Sequence, residues 1–338
     1  MPWYRHFLWP FALLYGIIVW FRNRLFDLEI LSAKSYDVPV ICIGNLETGG
    51  TGKSPLISYV AGILLQSGRK VAVISRGYGR LTKGYRIVEI ECGATEVGDE
   101  PLQLKLRHPD SVVVVCEDRL KGIERLLTEH PELDVILMDD GFQHRWVKPS
   151  LSILVTSGQR PFWKGHLLPV GNLRESRSEA RKADMIILTG DGEKSVWQQP
   201  SDQMIFSSHT ITTELVQFSG PQLAVSEIDH VVLVSGIANS HRFKASAIEH
   251  YKVVGHLRFA DHHIYTPNDL RQLRNLDSFG SGVNAVITTE KDASRLRNTA
   301  VLKQLERTPM FFLPIEVTFS EKQKHRFDKH ILEHGKNA

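Results

Sequence analysis

The chain has 338 residues, 42% of them hydrophobic and 23% charged, with a formal net charge of +3 and a mean hydropathy of −0.16. It is long for one domain and apolar enough to bury real cores, so two domains are expected. The mild charge comes with no dense Lys/Arg stripe, which argues against a nucleic-acid partner. Cys42, Cys92 and Cys116 share no metal-ligand spacing and read as free thiols in a reducing cytoplasm.

The N-terminus departs from this ordinary balance. In RHFLWPFALLYGIIVWFRNR, the fifteen residues Phe7 to Phe21 carry no charge and lie between Arg5 and the pair Arg22 and Arg24. A bilayer span needs about 20 apolar residues, so the run is short. Trp20, Phe21 and Arg22 stand where a secretory signal would place small residues, so no cleavage is expected. Trp3, Tyr4, Trp9, Tyr15 and Trp20 are aromatics of the kind favoured at headgroup level, and the flanking arginines have the reach for lipid phosphates. Residues 1–35 therefore read as a membrane-associated helical segment, monotopic rather than spanning, with a buried core helix as the alternative. The body of the protein would then lie at the cytoplasmic face of the membrane.

Beyond Pro39, short apolar runs predict strands over 38–43, 71–75, 112–116, 135–138, 151–155 and 185–188, with helical stretches at 56–67 and 119–129 between them. Continuous apolar strands separated by helices imply a parallel sheet covered on both faces. That is a doubly wound α/β domain, over residues 36–215, with ligands at the carboxyl ends of its strands. The polar GDGEKSVWQQPSDQ and the alternating HTITTELVQFSG read as a β-type linker. A second, smaller α/β domain is expected over 216–338, and a cleft between domains suits the meeting of two substrates.

Val40–Pro55, VICIGNLETGGTGKSP, resembles a phosphate-binding loop but lacks the first glycine of G-x-x-x-x-G-K-[ST]; Glu47 stands there. A strand, the flexible Gly49, Gly50 and Gly52, then Lys53 for the phosphates and Ser54 for Mg²⁺ supply the rest. Backbone N–H groups from Glu47 through Thr48, Thr51 and Ser54 would do the binding, so Glu47 is tolerable if its side chain points outward. In DVILMDDGFQHR a strand ends in Asp139 and Asp140, where such proteins hold Mg²⁺ or its water shell. The fold class is accordingly a P-loop NTPase-like α/β sheet. Further polar clusters follow strands or sit in loops: SRGYGR, GDEP with Asp99, CEDR, LPVGNLRES with Arg174 and Glu175, and RFADHHIY with His262 and His263. Each taken singly also reads as an N-cap acid, a solvated arginine or a surface histidine.

Together and in this order, GNLETGGTGKSP, SRGYGR, GDEP, DDGFQHR, LPVGNLRE, FADHH and TTEKDA resemble the tetraacyldisaccharide 4'-kinases, and the resemblance covers nearly the whole chain. It implies transfer of the γ-phosphate of ATP, with Mg²⁺, to the 4'-hydroxyl of a lipid disaccharide 1-phosphate, giving lipid IVA in lipid A biosynthesis. It also implies Asp99 as the base with His262 as its partner, and places the enzyme at the bacterial inner membrane with no obligate protein partner. Lys53 and Arg174 would neutralise the transferring phosphoryl group, while Ser54, Glu175, Asp139 and Asp140 serve Mg²⁺ directly or through water. Arg76, Arg119 and His263 are candidates for gripping substrate. The rival reading is a membrane-associated GTPase or nucleotide-dependent switch. That would need [NT]-K-x-D, and TTEKD places Lys291 one residue late.

Overall fold

Val40–Gly44 is a run of five buried residues, and so are Val71–Ser75 and Val135–Asp139. Only strands covered on both faces bury such runs whole. The computed structural model describes residues 7–190, 203–280, 282–297 and 299–334. Helix α1 (Trp9–Asp27) precedes β1 (Val40–Gly44), α2 (Lys53–Gln66), β2 (Val71–Ser75), β3 (Arg86–Ile87), α3 (Ala94–Val97) and α4 (Asp99–Arg107). Next come β4 (Val112–Val115), α5 (Arg119–Glu129), β5 (Val135–Asp139), β6 (Leu151–Ser157), β7 (Met185–Thr189) and β8 (Met204–Thr212). The remainder is β9 (Val216–Ser219), β10 (His230–Ser235), α6 (Ser240–Ile248), β11 (Lys252–Arg258), β12 (Val283–Thr289), α7 (Glu290–Leu296), α8 (Ala300–Lys303), β13 (Met310–Leu313), β14 (Ile315–Phe319) and α9 (Glu321–His334).

The larger sheet has the order β14-β8-β7-β6-β1-β5-β2-β4-β3, with antiparallel strands only at its two edges. Ile41, Ile43, Val73 and Leu137 face α2 on one side. Cys42, Ile74, Ile136 and Met138 pack on Ile123 and Leu126 of α5 on the other. Each such side chain, fully buried, contributes roughly 1.5–3 kcal/mol before entropy is counted. Burial pushes the Cys42 thiol up to about 12, as expected of an inert core cysteine. The smaller sheet, β11-β10-β12-β13-β9, is parallel except for β9.

Two expectations need amendment. The alternating HTITTELVQFSG is split: β8 completes the parallel part of the first sheet, and β9 joins the second. The expected unit 216–338 is not continuous, because β14 pairs antiparallel with β8 and covers that edge of the first sheet. Phe327 and Ile331 of α9 then fill the core of the first sheet, and Tyr59 of α2 donates to Asp328 at 2.7 Å. Residues 191–202 of the predicted linker, and Trp3, Tyr4 and Arg5, lie outside the described residues.

Helix α1 buries Ala12, Asn23 and Phe26 but leaves much of its apolar surface outward. Phe11, Leu14, Ile17, Ile18, Trp20 and Phe21 are between 58% and 62% exposed, whereas Asn23 is buried. Among the described residues no helix is long and apolar enough to cross a membrane.

Candidate active site

Strands β1, β2 and β5 end side by side, and Ile43 is in register with Asp139. Past β1 the chain must turn beneath Phe142, and a Cβ at Gly44 would come within 2.7–2.9 Å of Phe142 atoms, so glycine alone fits. Gly52, at φ 93°, turns the loop into α2, whose first residue is Lys53. Pro55 falls in the first turn, where no N–H partner is lost. Asn45 donates to Thr51 Oγ1 at 2.9 Å and Thr189 Oγ1 to the Thr51 carbonyl at 2.8 Å, bracing the loop; a Cβ on Gly49 or Gly50 would meet nothing.

Glu47 corrects the sequence reading. Its side chain does not point outward: it is 3% exposed and accepts a 2.9 Å bond from Thr156. Its backbone pairs in an antiparallel bridge with Leu173, and Thr48 N–H donates to Asn172 O at 2.8 Å. The first half of the loop is therefore zipped to the 172–174 segment, an extended conformation in which glycine has no advantage.

That segment delivers Arg174. Its guanidinium donates both ways to Asp140, at 2.7 and 2.8 Å, and also reaches Asn45. Lys53 Nζ lies 3.3 Å from the same carboxylate. Burial would raise Asp140, but Arg174 and Lys53 outweigh it and hold the carboxyl down to about 2. Its φ of 47° is strained for a non-glycine residue, the kind of conformation retained at functional sites. Asp139 behaves oppositely: burial, then Glu100 and Asp140, push it up to about 7. Ser75 donates to its Oδ2 at 2.9 Å, while Oδ1 is buried without a partner. Among the described residues no three His, Cys, Asp or Glu side chains converge on a metal position. Mg²⁺ fits such a place, since it takes one or two carboxylates and completes its shell from phosphates and water.

Glu175, read from sequence as a metal group, is engaged elsewhere. It is 1% exposed, and its carboxylate is held by Arg22 and Asn23 of α1. Arg22 is thus directed inward rather than toward lipid phosphate, and Tyr15 likewise donates to the Arg174 carbonyl at 2.7 Å. Arg76 is exposed, whereas Arg119 is buried with its Nε unpartnered, near enough to Asp139 and Asp140 to feel their charge.

The start of α4 lies near enough for Glu100 to act on Asp139, and its first residue is Asp99, where the helix N-terminus favours an anion. From the second sheet's side His262 Nδ1 approaches its Oδ2 at 3.0 Å, and Arg295 Nε donates to the same oxygen at 2.9 Å. Burial alone would raise Asp99; His262, Lys291 and Arg295 overcome it and hold the carboxyl far below its ordinary range. His263 turns away, stacking on Phe259 and bonding Asp269 at 3.0 Å, which gives it a structural place and no visible one at the site. Arg295 and Lys291 are partners that sequence reading missed. Their spacing of four in EKDASR, which puts two cations on one face of α7, was the available signal.

The profile of the tetraacyldisaccharide-1-P 4'-kinase family matches residues 4–334. The chain belongs to the tetraacyldisaccharide 4'-kinase family. Curated relatives with that name include one from Parabacteroides distasonis, 38% identical over 96% of this chain and 93% of its own. Another, from Bacteroides thetaiotaomicron, is 37% identical over 96% and 92%. Among solved structures, LpxK from Aquifex aeolicus in complex with ATP has a TM-score of 0.78 at 31% identity, covering 98% of this chain and 99% of that one. Kinase membership also disposes of the GTPase alternative, as does the geometry of TTEKD. Asp292 is fully buried and its oxygens accept from Gly236 N–H, Thr289 and Arg295, so it is not free to read a base.

Proposed function

We propose that this kinase transfers the γ-phosphoryl group of ATP to the 4'-hydroxyl of a tetraacylated glucosamine disaccharide 1-phosphate, the step that yields lipid IVA in lipid A biosynthesis. The observation that carries the reading is the presence of two clusters, Lys53, Arg174 and Asp140 at the strand ends and Asp99 of α4 paired with His262 from the second sheet's side. One is built for a polyphosphate and the other for a proton.

Asp99 is better read as the fixed anion than as the base. A carboxylate clamped by Arg295 and Lys291 resists protonation. With its Nδ1 directed at that carboxylate, His262 keeps Nε2 for the acceptor, the tautomer an orienting anion selects. The hydroxyl oxygen forms the new bond to γ-phosphorus as its proton passes to His262 Nε2; the bond to the β-bridging oxygen breaks and ADP leaves. Lys53 and Arg174 offset the charge that accumulates on the transferring oxygens. Mg²⁺, when bound at Ser54 and the Asp139/Asp140 pair, supplies further charge neutralisation on the phosphates.

A four-chain lipid does not leave a bilayer readily, since each buried methylene is worth roughly 0.8 kcal/mol. The outward apolar face of α1 supports peripheral or monotopic seating at the cytoplasmic face of the inner membrane. The test is transfer of label from γ-labelled ATP to a detergent-dispersed disaccharide 1-phosphate, with and without Mg²⁺. Mg²⁺-dependent labelling by wild type and none by Lys53→Ala is expected; labelling that survives in the variant overturns the reading of the loop.

A further inference from the structure

A membrane anchor needs only an outward face, yet Tyr15, Arg22 and Asn23 of α1 turn inward and find partners at Arg174 and Glu175. Tyr15 and Arg22, two turns apart, lie on one stripe with Asn23. Tyr15 Oη donates to the carbonyl of Arg174 at 2.7 Å, and the N–H of Arg174 donates to Leu46 O at 2.7 Å. The backbone of this one arginine is therefore held from both sides, by α1 and by the strand end that leads into the phosphate loop. The next residue, Glu175, is buried and meets the Arg22 guanidinium and Asn23. A second set of bonds fixes the helix itself: Arg145 donates to the Asn23 carbonyl at 2.7 Å and to Asp27 at 2.8 Å, and Lys182 reaches Asp27 at 3.1 Å. Gly16 of α1 lies against the same loop, where an added Cβ would come 2.9 Å from the Cδ1 of Leu167 and that side chain would have to move aside.

We propose that Tyr15 and Arg22 of α1 are positioning residues for Arg174, so that the N-terminal helix sets the rate of phosphoryl transfer as well as the place where it happens. The inference rests on the kinase reading above, in which Arg174 touches the transferring group. Its physical basis is the steep dependence of such contacts on placement. A guanidinium that must shift between Asp140 and a phosphoryl oxygen works only if its backbone is fixed, and a displacement of about 1 Å can cost on the order of a hundredfold in rate.

The experiment is steady-state kinetics of full-length wild type, Tyr15→Phe, Arg22→Met and Arg22→Lys with ATP and detergent-dispersed acceptor, beside co-sedimentation with anionic phospholipid vesicles. Tyr15→Phe and Arg22→Met should lower kcat roughly ten- to a hundredfold, with KM for ATP and vesicle binding close to wild type. Arg22→Lys, which keeps a cation for Glu175, should recover much of the loss. Arg22→Met can also weaken the fold by leaving Glu175 unpaired; Tyr15→Phe removes one hydroxyl and leaves no buried charge, so it keeps the question open to an answer. Wild-type kcat in both Tyr15→Phe and Arg22→Met overturns the proposal, as does a loss of kcat that only mirrors lost vesicle binding. Failure of wild type itself to phosphorylate the acceptor refutes the kinase reading instead.

Discussion

Glu47 occupies the position at which a phosphate loop ordinarily has glycine, and its carboxyl does structural work there. Thr156 Oγ1 donates to it at 2.9 Å while accepting the N–H of Phe162 at 3.0 Å, so the side chain ties the loop to the segment after β6. Burial pushes its pKa up, opposed by the bonds from Thr156 and Asn172. Restoring the common pattern should therefore do harm. Glu47→Gly would leave the Thr156 hydroxyl without its acceptor and add backbone freedom to the unfolded chain. We expect a loss of about 1–3 kcal/mol in denaturant unfolding and a raised KM for ATP, with Glu47→Gln much milder because its amide oxygen still accepts. A Glu47→Gly protein as stable and as fast as wild type would show that position 47 is indifferent.

Among the elements, α1 carries the two proposed tasks on opposite faces. Replacing Ile17 and Phe21 on the outward side by glutamate removes apolar area and adds charge without touching Tyr15 or Arg22. Vesicle co-sedimentation should fall at least roughly tenfold while ATP binding, measured by calorimetry, stays unchanged. Unaltered sedimentation would place the membrane contact elsewhere. The outward face was legible in the sequence because an uncharged aromatic run states its preference locally. The inward face was not, because the partners of Tyr15 and Arg22 are 159 and 153 residues away and nothing near them in sequence marks the pairing. The same distinction runs through the fold. Buried parallel strands such as Val71–Ser75 announce themselves as apolar runs, and α5 falls at the expected Arg119–Glu129. The return of β14 to β8 is a long-range antiparallel pairing that neither segment encodes alone. At the site, the residues proposed to meet phosphate or proton sit in spaced motifs, whereas the contacts that brace the site, Arg295 on Asp99 and Glu47 on Thr156, are visible only in three dimensions.

Over the whole molecule, buried titratable groups divide between the two sheets, and this sets how stability responds to pH. His144 follows β5 in the first, and burial, then Arg119, lowers it to about 4. His256 lies on β11 in the second; burial, then Arg258 and Lys244, again lowers it to about 4, and its Nε2 lies 2.8 Å from Ser235 Oγ. Both are below the ordinary histidine value of 6.5, so the unfolded chain takes up their protons first as pH falls. Their neutral forms stabilise the fold fully above about 6.5, and that contribution is lost progressively down to about 4. Asp139, raised to about 7, acts in the opposite sense: the folded state binds its proton first, which adds stability as pH falls through the same window. The measurable quantity is therefore a difference between proteins rather than the slope of one. Comparing wild type with His144→Gln/His256→Gln by urea unfolding from pH 7.5 to pH 4, wild type should lose ground to the variant steadily below about pH 6.5. Both single variants should show part of the change, adding because His144 follows a strand of the first sheet and His256 sits on a strand of the second, with no shared partner among the described residues. A stability difference that stays constant across that range would mean that neither imidazole is held neutral by the fold.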